Sequence, residues 1–429
     1  MATDFAAMNI SAASMWCIGL ICRRHYHACL LAALWPIMLL QSLFAQPLFH
    51  ASVVFPAADG GYQQVRIPGL VVTQKGTLLA YAEARHSPGK DWSDIDIVLR
   101  RSVDGGLTWS KIQVLEDGSL FADQPRNAVA PRSLSEQHWV TCNNPVMICD
   151  RSGAIHFLYC VEYNRCFYRV SSDDGTTFGP PVEITDCFNG FRQHYNWKVI
   201  ATGPGHGIQL SDGRLIVPVW LSLATGRNAH SPSRTAVIYS DDHGKQWNCG
   251  GIVPDRDSMN CSESAAVELS DGRLMLNLRN NSPRNRRAVS YSSSGATNWS
   301  IPEFVELYEP VCMAGLVRSP SSPKAASGCL LFSNPDPRRL DSSGLANAAR
   351  QRTNLTIRLS DDDGQTWLES RTIDPNRSGY SDLAVDRDGI IYCLYEQGAP
   401  SSLVCARFNL EWIKNKQVEG DRENFDNKN

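Results

Sequence analysis

Helical periodicity is nearly absent from this sequence, which sets aside helical bundles and coiled coils. Charge of either sign is not in excess. Lysine and arginine number 41 against 44 aspartates and glutamates, a net charge of −3, so no polycationic surface is available for nucleic acid or an anionic membrane. Metal-ligand spacing is missing as well. No C-x-x-C pair and no Cys/His cluster with zinc spacing occurs among the 14 cysteines, and no metal or organic cofactor is expected. Cys17, Cys22 and Cys29 fall near the N-terminus, and the remaining 11, an odd number, cannot all pair within one chain. Buried thiols with one or two disulfides are the expectation.

Long apolar runs are also scarce. Residues 28–45, ACLLAALWPIMLLQSLFA, form the only one, and Arg23 and Arg24 precede it. Basic residues, an apolar core and the small Ala45 fit a secretory signal peptide, with an uncleaved membrane anchor as the alternative. Residues 1–45 are therefore expected to be a leader or anchor, and the protein secreted or periplasmic. Met15 offers a second start. Asn280, Asn298, Asn354 and Asn376 stand in N-x-Ser/Thr sequons, which matter only in a host that glycosylates.

What the chain has in abundance is one phrase. SVDGGLTW at Ser102, SSDDGTTF at Ser171, SDDHGKQW at Ser240 and SDDDGQTW at Ser360 are copies of Ser-x-Asp-x-Gly-x-Thr-Trp, and SSSGATNW at Ser292 is a degraded fifth. The phrase reads as a turn between strands: its glycine supplies a left-handed φ, and Asp104, Asp173, Asp242 and Asp362 accept hydrogen bonds from nearby backbone N–H groups. The first three copies start 69 residues apart. Recurrence at such a period marks an architecture built by radial repetition. Short apolar runs, among them IDIVLRRS, AIHFLYCVE, RLIVPVWLSLA, RLMLNLRN and IIYCLYEQG, read as strands, and the Asp-Gly turns near Ser211, Ser270 and Asp386 read as hairpin loops. The expected fold class is all-β, a six-bladed β-propeller over residues 50–413. About 380 residues leave about 63 per blade, which suits four strands with insertions. The polar tail 414–429 reads as frayed.

A propeller by itself implies no reaction. Arg66 in VRIPGL, Arg279 in LNLRNN and Arg352 in RTNLTIRLS stand on separate blades, and three cations delivered to one axial end would clamp a carboxylate. Guanidinium suits that task because its planar fork pairs bidentately and stays charged. The RIP signature, the Asp-boxes and these separated arginines together resemble the sialidase (neuraminidase) superfamily, from about Tyr62 to Glu396. The resemblance implies that Arg66, Arg279 and Arg352 bind the carboxylate of the substrate, with Arg350 and Arg358 close enough to compete for the third place. It implies that Asp91, on a Gly/Pro/Ser loop, is the acid/base, with Asp94 as its rival, while Asp94 and Asp96 lead into a strand. Arg85 would contact ring substituents of the sugar. Tyr380 in GYSDL would be the nucleophile, Glu263 in CSESAAVEL would take its proton, and Glu396 in LYEQG would brace Arg66 from behind. Trp220 is placed either against the substrate or in the core, and His206 in GPGHG is expected to be structural.

Sialidases are the tyrosine exception among retaining glycosidases: the anomeric carbon carries a carboxylate that repels an anionic nucleophile and not a neutral phenol. The implied activity is an exo-α-sialidase releasing terminal sialic acid from glycoproteins, oligosaccharides or gangliosides through a tyrosyl-enzyme intermediate. Transfer in place of hydrolysis and a KDN-type ulosonic acid as substrate are rivals within the enzymes. A glycan-binding propeller without activity is the rival of another class, and it would keep the Asp-boxes while losing the arginine, tyrosine and glutamate set.

Overall fold

The computed structural model describes residues 46–87, 89–226, 229–320, 328–339 and 350–415. The expected leader and all but the first two residues of the expected tail lie outside them. Twenty-five strands carry the described fold, and its one α-helix is the five-residue Leu410–Lys414. No helix among the described residues is long and apolar enough to cross a membrane.

Hairpin connections make most of the sheets meanders. The first sheet runs Gln64–Val72, Leu78–Arg85, Ile95–Ser102, Gln113–Glu116, each strand antiparallel to the next. The second takes Cys142–Cys149, Ile155–Val161, Arg165–Ser171 and Val182–Glu183, and the short Gly205–His206 joins it in parallel. Val199–Thr202, Leu215–Ser222, Ser233–Ser240 and Asn248–Ile252 form the main path of the third, and Ser264–Glu268, Leu274–Leu278, Arg286–Ser292 and Glu303–Tyr308 the fourth. The fifth has seven strands. Its centre is the 17-residue Glu369–Val385, whose first half pairs with Thr353–Ser360 and whose second half pairs with Ile391–Gln397. At its outer edge the first strand of the chain, Phe49–Phe55, pairs with the last, Ser402–Phe408.

Strands buried on both faces explain the continuous apolar runs in the sequence. Tyr81 and Leu99 of the first sheet pack on Met147 and Phe157 of the second. Val146 and Leu158 of the second meet Val217 and Ile238 of the third, and Ile216 and Val237 of the third meet Leu276 and Ala288 of the fourth. Met275 and Val289 continue onto Leu316 and Phe332 of the fifth. Inside the fifth, Leu331 and Ile357 pack with Cys393 and Phe408. Leu394 and Cys405 of the fifth then pack on Leu70 and Ala80 of the first.

Ser102, Ser171, Ser240, Ser292 and Ser360 each end a strand, so all five repeat phrases are the turns that follow. In the first copy the Ser102 hydroxyl donates to Asp104 Oδ1 at 2.7 Å and accepts from Gly106 N at 2.8 Å. Asp104 also accepts from Thr108 N, as Asp173, Asp242 and Asp362 do from the residue four places on. Gly106 has φ 83°, a left-handed value that a side chain would strain. Ser102 is registered against Leu78, at the start of Leu78–Arg85, and Arg66 against Glu83, near the end of that same strand. The first Asp-box therefore lies at the opposite end of the first sheet from Arg66.

One expectation fails. All 11 cysteines from Cys142 onward are free thiols, where the sequence allowed one or two disulfides. Most are buried in sheet interfaces, where they pack as small apolar side chains.

Candidate active site

Arg66 stands near the start of Gln64–Val72, where an irregular register between Arg66 and Gly69 re-aims the strand. Its Nε and Nη2 donate to the two oxygens of Glu396 at 3.0 and 3.3 Å. The same carboxylate accepts Ile67 N at 3.1 Å and Tyr380 N at 3.2 Å. Ile67 has φ 61°, a conformation a β-branched residue adopts only under constraint, and the bond from its N–H to Glu396 supplies one. Glu396 is buried, which opposes its charge, but the Arg66 guanidinium together with the Ile67 and Tyr380 N–H groups outweighs burial and holds the carboxyl below the usual range. Gly379 must lack a side chain: a Cβ there would sit 2.1 Å from Glu396 Oε2.

Tyr380 is the centre of the cluster. The guanidinium carbons of Arg352, Arg66 and Arg279 lie 5.5, 5.8 and 5.9 Å from its ring centroid. Its hydroxyl donates to Glu263 Oε1 at 2.7 Å and accepts from Arg279 Nη1 at 2.6 Å. Arg279 Nη1 also donates to the other oxygen of Glu263. The pair is set by the fourth sheet. Glu263 immediately precedes one strand and Arg279 immediately follows its neighbour, and Arg279 N donates to Glu263 O at 3.0 Å. Arg352 faces Ser378 through Ser378 N→Arg352 O at 3.0 Å, and its guanidinium donates to Val311 O. Burial raises the Tyr380 phenol well above its ordinary pKa, with Arg279 pulling it down and Glu263 pushing it further up. The tyrosine is thus a neutral phenol with its proton directed at a carboxylate.

Asp91 approaches from the loop between Leu78–Arg85 and Ile95–Ser102, half exposed, with Arg85 Nη2 donating to it at 3.2 Å. Burial disfavours its charge, but Arg85, His230 and Arg66 together lower its pKa. Arg85 itself is fully buried, and its Nη2 is shared with Glu83 at 2.7 Å. Glu83 also accepts Asn144 N at 2.9 Å, and burial, opposed by Arg85, raises its pKa. A cavity of about 320 Å³ joins these groups, bordered by Glu83, Arg85, Asp91, Glu263, Arg279 and Tyr380. Trp220 and His230 also line it. Arg66 and Arg352 border an adjoining hollow of about 250 Å³.

Other residues weighed from the sequence lie elsewhere. Asp94 precedes its strand and accepts Val140 N, and Asp96 lies in the strand and accepts Tyr62 Oη at 2.7 Å. Arg358 is buried against Asp336 and Asn334, and Arg350 donates to the carbonyl of Asn281. His206 Nδ1 pairs with Asp382 at 2.7 Å, away from the cavity that holds Asp91. Among the described residues no group of three His, Cys, Asp or Glu side chains could hold a metal ion.

Glu83, Tyr163 and His230 border the cavity and were not anticipated from the sequence. Glu83 left a trace. It sits two residues before Arg85 in the apolar strand LLAYAEAR, on the same face. Nothing local marks Tyr163 or His230.

Comparison with known proteins now adds to the geometry. The BNR repeat-like domain family matches residues 76–393. The chain belongs to the sialidase superfamily. It is 31% identical over 386 residues to a sialidase of Micromonospora viridifaciens, covering 86% of this chain and 55% of that protein. With a sialidase of Bacteroides fragilis the identity is 31% over 366 residues, covering 79% of this chain and 61% of that one. Among solved structures, the Hadza microbial sialidase Hz136 superposes with a TM-score of 0.70 at 26% identity, over 85% of this chain and 69% of that one. The chain thus spans somewhat over half the length of these two curated sialidases.

Proposed function

We propose that the protein is an exo-α-sialidase that hydrolyses terminal α-linked sialic acids of glycoconjugates with retention of configuration. The observation that carries this is the convergence of Arg66, Arg279 and Arg352 on the ring of Tyr380, whose hydroxyl donates to Glu263. Three guanidiniums beside a neutral phenol suit a substrate that bears a carboxylate on its reacting carbon. Asp91 protonates the glycosidic oxygen as the C–O bond breaks, and Tyr380 attacks the anomeric carbon while its proton passes to Glu263. Water then gives a proton to Asp91 and attacks the same carbon, and the phenol leaves with the proton held on Glu263. Two displacements at one carbon retain its configuration.

The scaffold for this chemistry is a six-bladed propeller. The seven-stranded sheet counts as two blades joined through Glu369–Val385, one of them completed by Phe49–Phe55. In support, six apolar clusters link consecutive units, and the last returns to the first. Export through residues 1–45 is part of the same proposal, consistent with glycoconjugate substrates outside the cell.

The test is turnover of an aryl α-sialoside by the purified protein, with NMR of the first-formed anomer. Release of the α-anomer supports retention. Tyr380→Phe is expected to reduce kcat by at least about 10²-fold, as loss of a covalent nucleophile should. No turnover of α2,3-, α2,6- or KDN-type substrates by the wild-type protein overturns the hydrolase assignment, and wild-type rates in Tyr380→Phe overturn the nucleophile.

A further inference from the structure

The loop that carries Asp91 is held by the residue before it. Three attachments meet at Lys90. Its carbonyl accepts from Arg85 Nη1 at 3.2 Å and from the Ser93 hydroxyl at 2.9 Å, both donors being buried side chains. Its ammonium pairs with Glu136 Oε1 and lies 5.6 Å from the ring centre of Trp139. Glu136 is set for that contact by its own segment: its other oxygen accepts Ser133 N at 2.9 Å, the reciprocal half of a capping box on the short turn Leu134–Glu136. The loop's opposite side is tied by Gly89 N to Gln64 Oε1 at 3.1 Å.

We propose that Lys90 is a positioning residue for the acid/base, acting through Asp91: its bond to Glu136 fixes where residue 90 sits and thereby how far Asp91 projects from Arg85 toward the leaving oxygen. The inference rests on the sialidase assignment above. Beyond Asp91 the chain is already fixed, Arg132 Nε donating to Trp92 O at 2.9 Å and Thr141 Oγ1 to Ser93 O at 2.6 Å. The Lys90 side chain supplies the matching anchor on the near side of Asp91, to the same stretch of chain between Arg132 and Thr141. The half-exposed Lys90 head limits the effect to that of a surface ion pair, about fivefold at most.

An acid that is misplaced costs most where the leaving group most needs a proton. The test compares kcat/KM on two substrates with the same sialic acid: sialyllactose, whose leaving sugar alkoxide is a strong base, and 4-nitrophenyl α-sialoside, whose phenolate departs unaided. Lys90→Met is expected to lower kcat/KM on sialyllactose by about three- to fivefold and to leave the nitrophenyl rate within about twofold. Glu136→Gln should reproduce the pattern, the double variant should be no worse than either single one, and Lys90→Arg should restore the wild-type ratio. Both substrates carry the same carboxylate, so loss of a positive charge near the site cancels in the comparison. Equal losses on both substrates, or none on either, overturn the proposal. Failure of the wild-type protein on both substrates would instead sink the sialidase assignment.

Discussion

Arg85 stands between two carboxylates, and the division of its charge sets the proton affinity of Asp91. Nη2 reaches Glu83 at 2.7 Å and Asp91 at 3.2 Å. Both acids are desolvated, yet Asp91 is pulled below its ordinary pKa and Glu83 is left above. In the proposed mechanism Asp91 must carry its proton when substrate binds, so the basic limb of the kcat/KM profile is expected to follow Asp91 in the free enzyme. Removing Arg85 leaves burial as the larger influence, and burial raises the pKa of a carboxyl. Arg85→Met is therefore expected to move that limb to higher pH, whatever it does to the rate at the optimum. A limb that stays in place, or shifts to lower pH, would show that another group sets it. The sequence made Arg66, Arg279, Tyr380 and Glu263 legible because each lies in a short distinctive phrase. Glu83 was missed because its significance depends on Asn144 and Asp91, contacts that no local pattern encodes.

At the scale of elements, strands were easier to anticipate than their partners. The Asp-Gly turns near Ser211, Ser270 and Asp386 located three of the hairpins, and the repeat phrases marked one strand end after another. The length of Glu369–Val385 was not legible, since DPNRSGYSD within it reads as a turn. That strand matters because Tyr380 lies on it and is tied to Glu396 of the neighbouring strand, whose carboxylate also reaches Arg66 and Ile67 of the first sheet. Glu396 is thus a joint between sheets. Its folded-state pKa is depressed, so its stabilisation is fully present above the unfolded value near 4.3 and is lost as pH falls through the folded value. Glu396→Gln is expected to cost about 2 kcal/mol at pH 7, the range for hydrogen bonds to a charged group. The difference from wild type should shrink as pH falls below the unfolded value near 4.3, where the unfolded chain takes up a proton that the native carboxyl still refuses. Thermal melts of the two proteins between pH 3 and pH 7 check both the size and the direction. A difference independent of pH would assign the loss to packing and not to charge.

Over the whole molecule, the ends of the described fold meet. Phe49–Phe55 pairs with Ser402–Phe408, so a sheet late in the chain is finished by a strand from its beginning, and the register sets Ser52 opposite Cys405. Both side chains face the first repeat phrase: the Ser52 hydroxyl donates to Gly106 O at 2.8 Å, and Cys405 Sγ lies 3.9 Å from where a Cβ on Gly106 would be. Nothing in the sequence marks this seam, because a pairing across some 350 residues leaves no local pattern and FHASVVF looks like any short apolar run. If the seam holds the fold together, a covalent link across it should resist unfolding more than one inside a hairpin. Directly opposed residues in an antiparallel pair have Cα separations within the range a disulfide spans. Ser52→Cys is therefore expected to form a bond with Cys405 under oxidising conditions, closing a loop of hundreds of residues. Chain entropy sets an upper limit of about 6 kcal/mol on its effect, less the lost bonds of the Ser52 hydroxyl to Gly106 and Trp109. The oxidised variant should melt several degrees above its own reduced form. If oxidation forms the bond, shown by mass spectrometry of non-reduced peptides, and melting is unchanged, unfolding begins elsewhere and the seam is not the weak point of the fold.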